Sequence, residues 1–294
     1  MTSGTSNESN PPTLAEFLAA PDHVVAQVMP PTVILAVGGT RRSAELSGIS
    51  SDSDDYARVS RERMIACVDR FFRLGVRHLF SCLLGSGDFE EVGRFRGQLH
   101  DWLEWGVTGP EAMADYARLG WRVRIGGLDA VPELRHLNDR LVAATPPTWQ
   151  HTLWHYAVPT REALWEQTLA AAHATRASNQ TELIRALFGE DVPPAGLWVG
   201  SGKPLISQDL VPVVLLGETQ CYWTQRPGYE LDDDIIRRMV YDCVYRRRTW
   251  RKDKSARYAD IEQMRSTLES RQILGVGRRI GGFWYPDYVQ DDDR

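Results

Sequence analysis

The sequence predicts an α/β fold, a single domain on a central, mainly parallel sheet flanked by helices. Three observations predict it. Short continuous apolar runs read as strands buried on both faces, as a covered parallel sheet requires. Segments with helical spacing alternate with them. Several strand exits carry glycine, where an open α/β sheet builds its ligand crevice.

Taken in order, residues 14–28 read as a helix broken at Pro21 and ended before Pro30-Pro31. Residues 32–37 (TVILAV) form the first strand, and 43–53 are polar without a clear period. In 56–74, Val59, Met64, Cys67, Val68, Phe71 and Phe72 fall at helical spacing, with Gly75 as C-cap. A second strand over 76–84 ends at Gly85-Ser86-Gly87-Asp88. Helices follow over 89–105 and 110–119, the latter closed by Gly120. A strand over 121–125, a helix over 132–144, a strand over 152–157 and a helix over 161–174 continue the alternation. Short strands are expected over 197–199, 211–216 and 221–224, then a strongly periodic helix over 232–247.

The chain has 294 residues, no internal repeat and no long linker, so one domain over 13–286 is expected. Residues 1–12 are Ser, Asn, Thr and Pro-rich without an apolar core, and read as a disordered lead rather than a signal peptide. Residues 287–294 read as an acidic tail. No apolar run is long enough for a transmembrane helix. A net charge of −5 gives no general attraction to nucleic acid or anionic membrane. Four widely spaced cysteines without a CxxC pair point to reduced thiols and a cytoplasmic location.

The first strand exit carries the clearest chemistry. Gly38 and Gly39 allow a sharp turn, Thr40 is placed to cap a following helix, and Arg41 and Arg42 suit a doubly charged anion such as a diphosphate. No carboxylate stands at this strand end. The exits at 38–42, 85–88, 126–129 and 200–203 are expected around one crevice. Other signals are weak. His151 and His155 lie on a strand with no further ligand nearby, Gly200–Lys203 lacks the upstream P-loop spacing, and no GxSxG elbow occurs.

These exits, in this order, resemble the cis-prenyltransferase (undecaprenyl diphosphate synthase) family. Gly38-Gly39-Thr40-Arg41-Arg42 stands where that family has DGN-x-R. Residues 79–83 parallel its TLYAFS strand, and 123–128 with Pro132 its vRIrfIGDLsrLP segment. Residues 201–207 stand where it has SGExRxS, and Arg278-Arg279-Ile280-Gly281-Gly282 resembles its RRFGG. Asp54-Asp55-Tyr56, the 237–245 helix and Gly275-Val276-Gly277 are similar to the tuberculosinol synthase (tuberculosinyl-adenosine transferase) branch.

The resemblance implies a diphosphate site at Gly38, Gly39, Thr40, Arg41 and Arg42, with Tyr56 as a further catalytic residue. Trp102, with Phe95 and Trp105, would line a prenyl tunnel, and Arg278 and Arg279 would bind substrate from a C-terminal tail in a homodimer. Mg²⁺ would fall to Glu218 and Asp88, because the family's strand-end Asp is Gly38 here. Asp54 and Asp55 are either further candidates or helix caps. The second diphosphate site, for isopentenyl diphosphate, has Val199 and Leu205 where the family has arginines, and apolar side chains cannot hold a diphosphate. The expected function is therefore a terpene synthase, most simply a diterpene synthase. It would ionise a prenyl or bicyclic terpenyl diphosphate and quench the cation with water or by proton loss. Prenyl transfer to a non-isopentenyl acceptor such as a nucleoside, and a silent partner subunit, remain alternatives.

Overall fold

The computed structural model describes residues 11–92, 94–145, 149–207, 210–247, 261–270 and 273–286. Nearly all of the expected lead and all of the acidic tail lie outside them. Six strands form one wholly parallel sheet: β1 (Thr32–Ala36), β2 (His78–Leu84), β3 (Trp121–Gly126), β4 (His151–Ala157), β5 (Ala195–Ser201) and β6 (Leu216–Thr224). Their order across the sheet is β3-β4-β2-β1-β5-β6.

Side-chain alternation divides the core between the two faces. Val33, Leu35, Leu79, Val123, Leu153 and Leu197 pack on one side. There they meet Met64, Cys67, Val68 and Phe71 of α4 (Asp54–Arg73) and Leu103 and Val107 of α6 (Arg94–Thr108). Ile34, Phe80, Trp154 and Trp198 face the other side, against Leu164 of α9 (Ala163–Thr175) and Ile184 of α10 (Gln180–Phe188). Each such large apolar side chain contributes about 1.5–3 kcal/mol of burial.

The remaining helices are α1 (Leu14–Ala19), α2 (Asp22–Ala26), α3 (Thr40–Leu46), α5 (Ser86–Glu90), α7 (Pro110–Leu119), α8 (Arg135–Ala144), α11 (Asp233–Tyr241) and α12 (Ile261–Leu268). A separate antiparallel hairpin, β7 (Gly277–Ile280) and β8 (Phe283–Pro286), closes the described chain.

Four expectations need correcting. The helix expected over 89–105 is two, α5 and α6. The expected strand over 211–216 is a 3₁₀ turn at Val213–Leu215, because Pro212 sets a bend and its carbonyl accepts the Leu215 N–H. Helix α10 was not expected, although Asn179 caps it by accepting the Glu182 N–H and Gly189 ends it at φ 72°. The 232–247 helix stops being α-helical at Tyr241 and continues as a π-turn over Asp242–Arg246.

Candidate active site

The chain turns out of β1 through Gly38, whose backbone is gripped from two sides. Its N–H donates to the Ser201 hydroxyl at 2.7 Å, and that hydroxyl donates back to the Gly38 carbonyl at 3.1 Å. The same carbonyl accepts the Gly228 N–H at 2.7 Å. Gly39 then adopts φ 80°, the left-handed region that favours glycine. A Cβ there would lie 2.6 Å from an Arg42 nitrogen, so glycine lets that guanidinium fold back along the turn.

Gly39 is the residue that precedes α3, and Thr40 is the first helical residue rather than the N-cap. Its hydroxyl is used elsewhere: Thr40 Oγ1 and the Tyr56 hydroxyl share a 2.7 Å hydrogen bond. Tyr56 is buried at the start of α4, with its ring edge-on to Trp102 of α6 at 5.2 Å. Arg42 lies over the ring of Phe283 at 4.4 Å, so the C-terminal hairpin reaches the mouth of the site. Arg41 pairs with Glu91 at 3.3 Å on the exposed rim. Such an exposed pair holds little energy and yields readily to a stronger anion.

The exit of β2 supplies Asp88. Its carboxylate accepts the Gly85 N–H at 2.8 Å, which caps α5. Burial raises its pKa, against the opposing pull of that N–H and of Arg41. These elements enclose a cavity of about 720 Å³. The strand exits contribute Gly38, Gly39, Thr40, Arg41, Arg42, Gly85 and Asp88 to its lining, and much of the remainder is apolar: Met64, Leu83, Leu99, Trp102, Leu103, Val107 and Leu210. A charged head and a greasy body describe the complement of an amphiphile with an anionic group.

No family model matches the chain. It is 38% identical, over 94% of its length and 96% of the relative's, to (+)-kolavelool synthase of Herpetosiphon aurantiacus. It is 23% identical, over 92% and 97%, to tuberculosinyl adenosine transferase of Mycobacterium tuberculosis. The fold is shared with lavandulyl diphosphate synthase of Lavandula x intermedia, solved with dimethylallyl diphosphate (TM-score 0.54, 14% identity, 75% of this chain and 97% of that one). It is shared too with a probable undecaprenyl diphosphate synthase of Campylobacter jejuni (TM-score 0.55, 11% identity, 74% and 97%). The chain belongs to the cis-prenyltransferase-like family. It is an enzyme of the terpene synthase or prenyltransferase kind.

Within this cis-prenyltransferase-like chain, Gly38, Gly39, Thr40, Arg41, Arg42, Tyr56, Asp88 and Trp102 line one cavity. Glu218 does not join them. It is exposed at the amino end of β6, in the stretch whose first residue pairs with Ala195, whereas the cavity lies at the carboxyl ends of β1 and β2. Asp54 and Asp55 line a neighbouring cavity of about 720 Å³ with Asp101 and Trp105, on the far side of Trp102. Arg278 and Arg279 are exposed on β7, and the Arg279 Nε–H donates to the Gly281 carbonyl at 2.8 Å. From that segment it is Phe283 that reaches the cavity. Val199 is buried in the core and Leu205 is exposed. The Phe95 side chain lies outside the described residues.

The four exits do not share one crevice. Those of β1 and β2 line the cavity, and that of β5 supports it through Ser201. Gly126 and Gly127, after β3, line a separate cavity of about 360 Å³.

Three lining residues escaped the sequence reading. Arg61 sits in the otherwise apolar stretch and is neutralised by Asp115 at 2.6 Å and Glu111 at 3.2 Å. Its spacing from Ala57, Ser60 and Met64 on one face of α4 was the available signal. Burial pushes the Tyr229 phenol up to about 12, against the opposing pull of the Ser81 side chain. Tyr229 comes from the loop before α11 and Phe283 from β8, both far along the chain from the 38–42 turn, and neither leaves a local signal.

A Mg²⁺ fit can be judged from the donors. Among the described residues no group of three His, Cys, Asp or Glu side chains is placed to hold a metal. Among the described residues Asp88 is the one carboxylate lining the cavity, and one of its oxygens already caps Gly85. Mg²⁺ wants six oxygens in a near-ideal octahedron, usually with one or two carboxylates beside substrate phosphates. This donor set fits it poorly.

Proposed function

We propose that the chain is a diterpene synthase. It ionises a C20 prenyl or bicyclic terpenyl diphosphate and releases pyrophosphate, and the carbocation is quenched by water or by loss of a proton. The observation that carries this reading is one cavity with a two-arginine head and an aromatic, apolar body, in a chain 38% identical to a terpene synthase along nearly its whole length.

The diphosphate binds at Thr40, Arg41 and Arg42. The allylic C–O bond then breaks, and its electron pair leaves with the diphosphate oxygen. Guanidinium groups aimed at that oxygen stabilise charge as it develops, where such stabilisation has most effect. The cation left behind lies among the rings of Tyr56, Trp102 and Tyr229, whose faces attract positive charge. A water oxygen forms the new C–O bond and its extra proton passes to solvent, or a neighbouring C–H proton is lost and an alkene forms. Isopentenyl transfer is disfavoured, since Val199 and Leu205 supply no charge to a second diphosphate. A silent subunit would have no use for the retained arginine pair.

Four free cysteines suit a reducing cytoplasm, and no helix of the described residues is long and apolar enough to cross a membrane. A homodimer rests on the family resemblance, and gel filtration would measure it. The central test is incubation with geranylgeranyl and bicyclic C20 diphosphates. Pyrophosphate release with a C20 alcohol or alkene is expected. Silence toward C10 to C20 substrates would overturn the reading, and a product mass containing an added nucleoside would replace it with acceptor transfer.

A further inference from the structure

We propose that this chain binds and releases the diphosphate on its own guanidinium charge, without a carboxylate-held divalent cation. The inference rests on the reading above, that the cavity takes a diphosphate.

Gly38 stands where the resemblance expects a carboxylate, and nothing steric requires glycine there. A Cβ at Gly38 would have the Ser201 hydroxyl at 3.8 Å as its nearest neighbour, an ordinary contact, and its φ lies outside the left-handed region. The position accepts an aspartate and lacks one. At Gly39 the opposite holds, with a left-handed backbone and a guanidinium in the way.

Among the described residues, the other candidate carboxylates are remote or already engaged. Glu218 is at the wrong end of the sheet. Glu91 is engaged by Arg41, and Asp88 caps Gly85. A single carboxylate in the lining, with one oxygen already accepting a hydrogen bond, supplies few of the six oxygens that a near-ideal Mg²⁺ octahedron demands.

Among the described residues Arg42 has no carboxylate partner, and its guanidinium rests on the Phe283 ring. A planar fork with five donors matches phosphate oxygens in pairs, so Arg42 can engage the diphosphate without first breaking an ion pair. Arg41 adds a second fork once its exposed pair with Glu91 opens.

The test uses the purified full chain and inorganic pyrophosphate as the probe, titrated calorimetrically in EDTA and in Mg²⁺. We expect dissociation constants within about threefold of each other. Arg42→Gln should lose about tenfold or more in both conditions, as the removal of a charge-assisted pair implies. Gly38→Asp should weaken binding about tenfold in EDTA and regain it in Mg²⁺, with Gly38→Ala and a thermal melt as controls for folding. Asp88→Asn should change the dissociation constants in the two buffers by the same factor, because any effect of the residue on the anion is then independent of the metal. Two results would overturn the inference while leaving the diphosphate reading intact: binding that appears only with Mg²⁺, or an Asp88→Asn loss confined to Mg²⁺. Failure to bind in both buffers would overturn the diphosphate reading itself, and this inference with it.

Discussion

The exits of β1 and β3 are built from the same parts and do different work. Each has two adjacent glycines and two nearby arginines: Gly38, Gly39, Arg41 and Arg42 at one, and Gly126, Gly127, Arg124 and Arg135 at the other. At β3 the arginines serve the protein itself. Arg124 donates to the Val123 carbonyl at 2.8 Å and to the Thr145 hydroxyl, and Arg135 to the Leu128 carbonyl at 3.4 Å. The glycines there are steric necessities. A Cβ on Gly126 would lie 2.6 Å from the Tyr156 ring, and one on Gly127 would lie 2.2 Å from the Ala157 carbonyl oxygen. At β1 Arg42 rests on an aromatic ring and Gly38 has room to spare. The two exits differ in their arginines: Arg42 at β1 has no carboxylate partner among the described residues, whereas both arginines at β3 bond the fold's own oxygens.

The sharpest way to break this contrast is to remove one arginine from each exit. Arg42→Gln should lower the rate of pyrophosphate release by a factor on the order of 10², the usual cost of losing one donor to developing charge. Arg135→Gln should leave it within about threefold, since its loss is a surface-level change in stability. Steady-state release assays on both variants measure the difference. Comparable losses would mean that the β3 cavity also belongs to the site.

Exchanging the glycines gives the reverse pattern. Gly127→Ala must place a Cβ at φ 83° against a backbone carbonyl, and should cost about 2–4 kcal/mol of stability. Gly38→Ala meets no close neighbour and should cost about 0.5 kcal/mol. Urea unfolding midpoints separate the two. A Gly38→Ala variant as unstable as Gly127→Ala would show that both glycines are there for packing.

His155 lies on β4, between the two exits, in register with Ser81 of β2 and Ile125 of β3. It is 1% exposed with neither ring nitrogen partnered, and burial pushes its pKa down to about 4 from 6.5. Below pH 6.5 the unfolded chain takes up a proton that the folded chain refuses. Stability from this site is therefore complete above pH 6.5 and is lost as pH falls toward 4, by up to about 3 kcal/mol. His78, also pushed down to about 4 by burial, adds to the same window. His155→Leu should flatten the acid limb of a melting-temperature profile between pH 7 and 4, and an unchanged limb would place the titration elsewhere.

What the sequence made legible follows the range of the forces involved. The strands were visible because a sheet covered on both faces demands unbroken apolar runs such as 32–37. The turn at 38–42 was visible because its chemistry is contiguous. Glu218 was misplaced because alignment to a motif carries no information on which end of a strand faces the ligand. The register of β6 on β5 decides that, and it starts with Leu216 opposite Ala195. Arg61 was hidden by its helix, where a charge at an apolar position reads as solvated until Asp115 and Glu111 arrive from α7. Tyr229 and Phe283 reach the cavity from a distant loop and from β8, a placement that no local period encodes.

The smallest expected effect tests how the two halves of the cavity are joined. Tyr56 touches both: its hydroxyl shares a 2.7 Å hydrogen bond with Thr40 in the head, and its ring meets Trp102 in the apolar body. Tyr56→Phe keeps the ring and its attraction for a cation but leaves Thr40 without that partner. A net loss of about 1 kcal/mol is expected, or about fivefold in turnover if all of it falls on the reacting geometry. Thr40→Val removes the other half of the same bond while keeping a branched side chain of similar size. If the bond sets the register between diphosphate and hydrocarbon, the double variant should lose little more than either single one, with a coupling of about 1 kcal/mol. Strict additivity in that cycle, read from turnover with a C20 diphosphate, would mean that head and body act independently and that Tyr56 contributes through its ring alone.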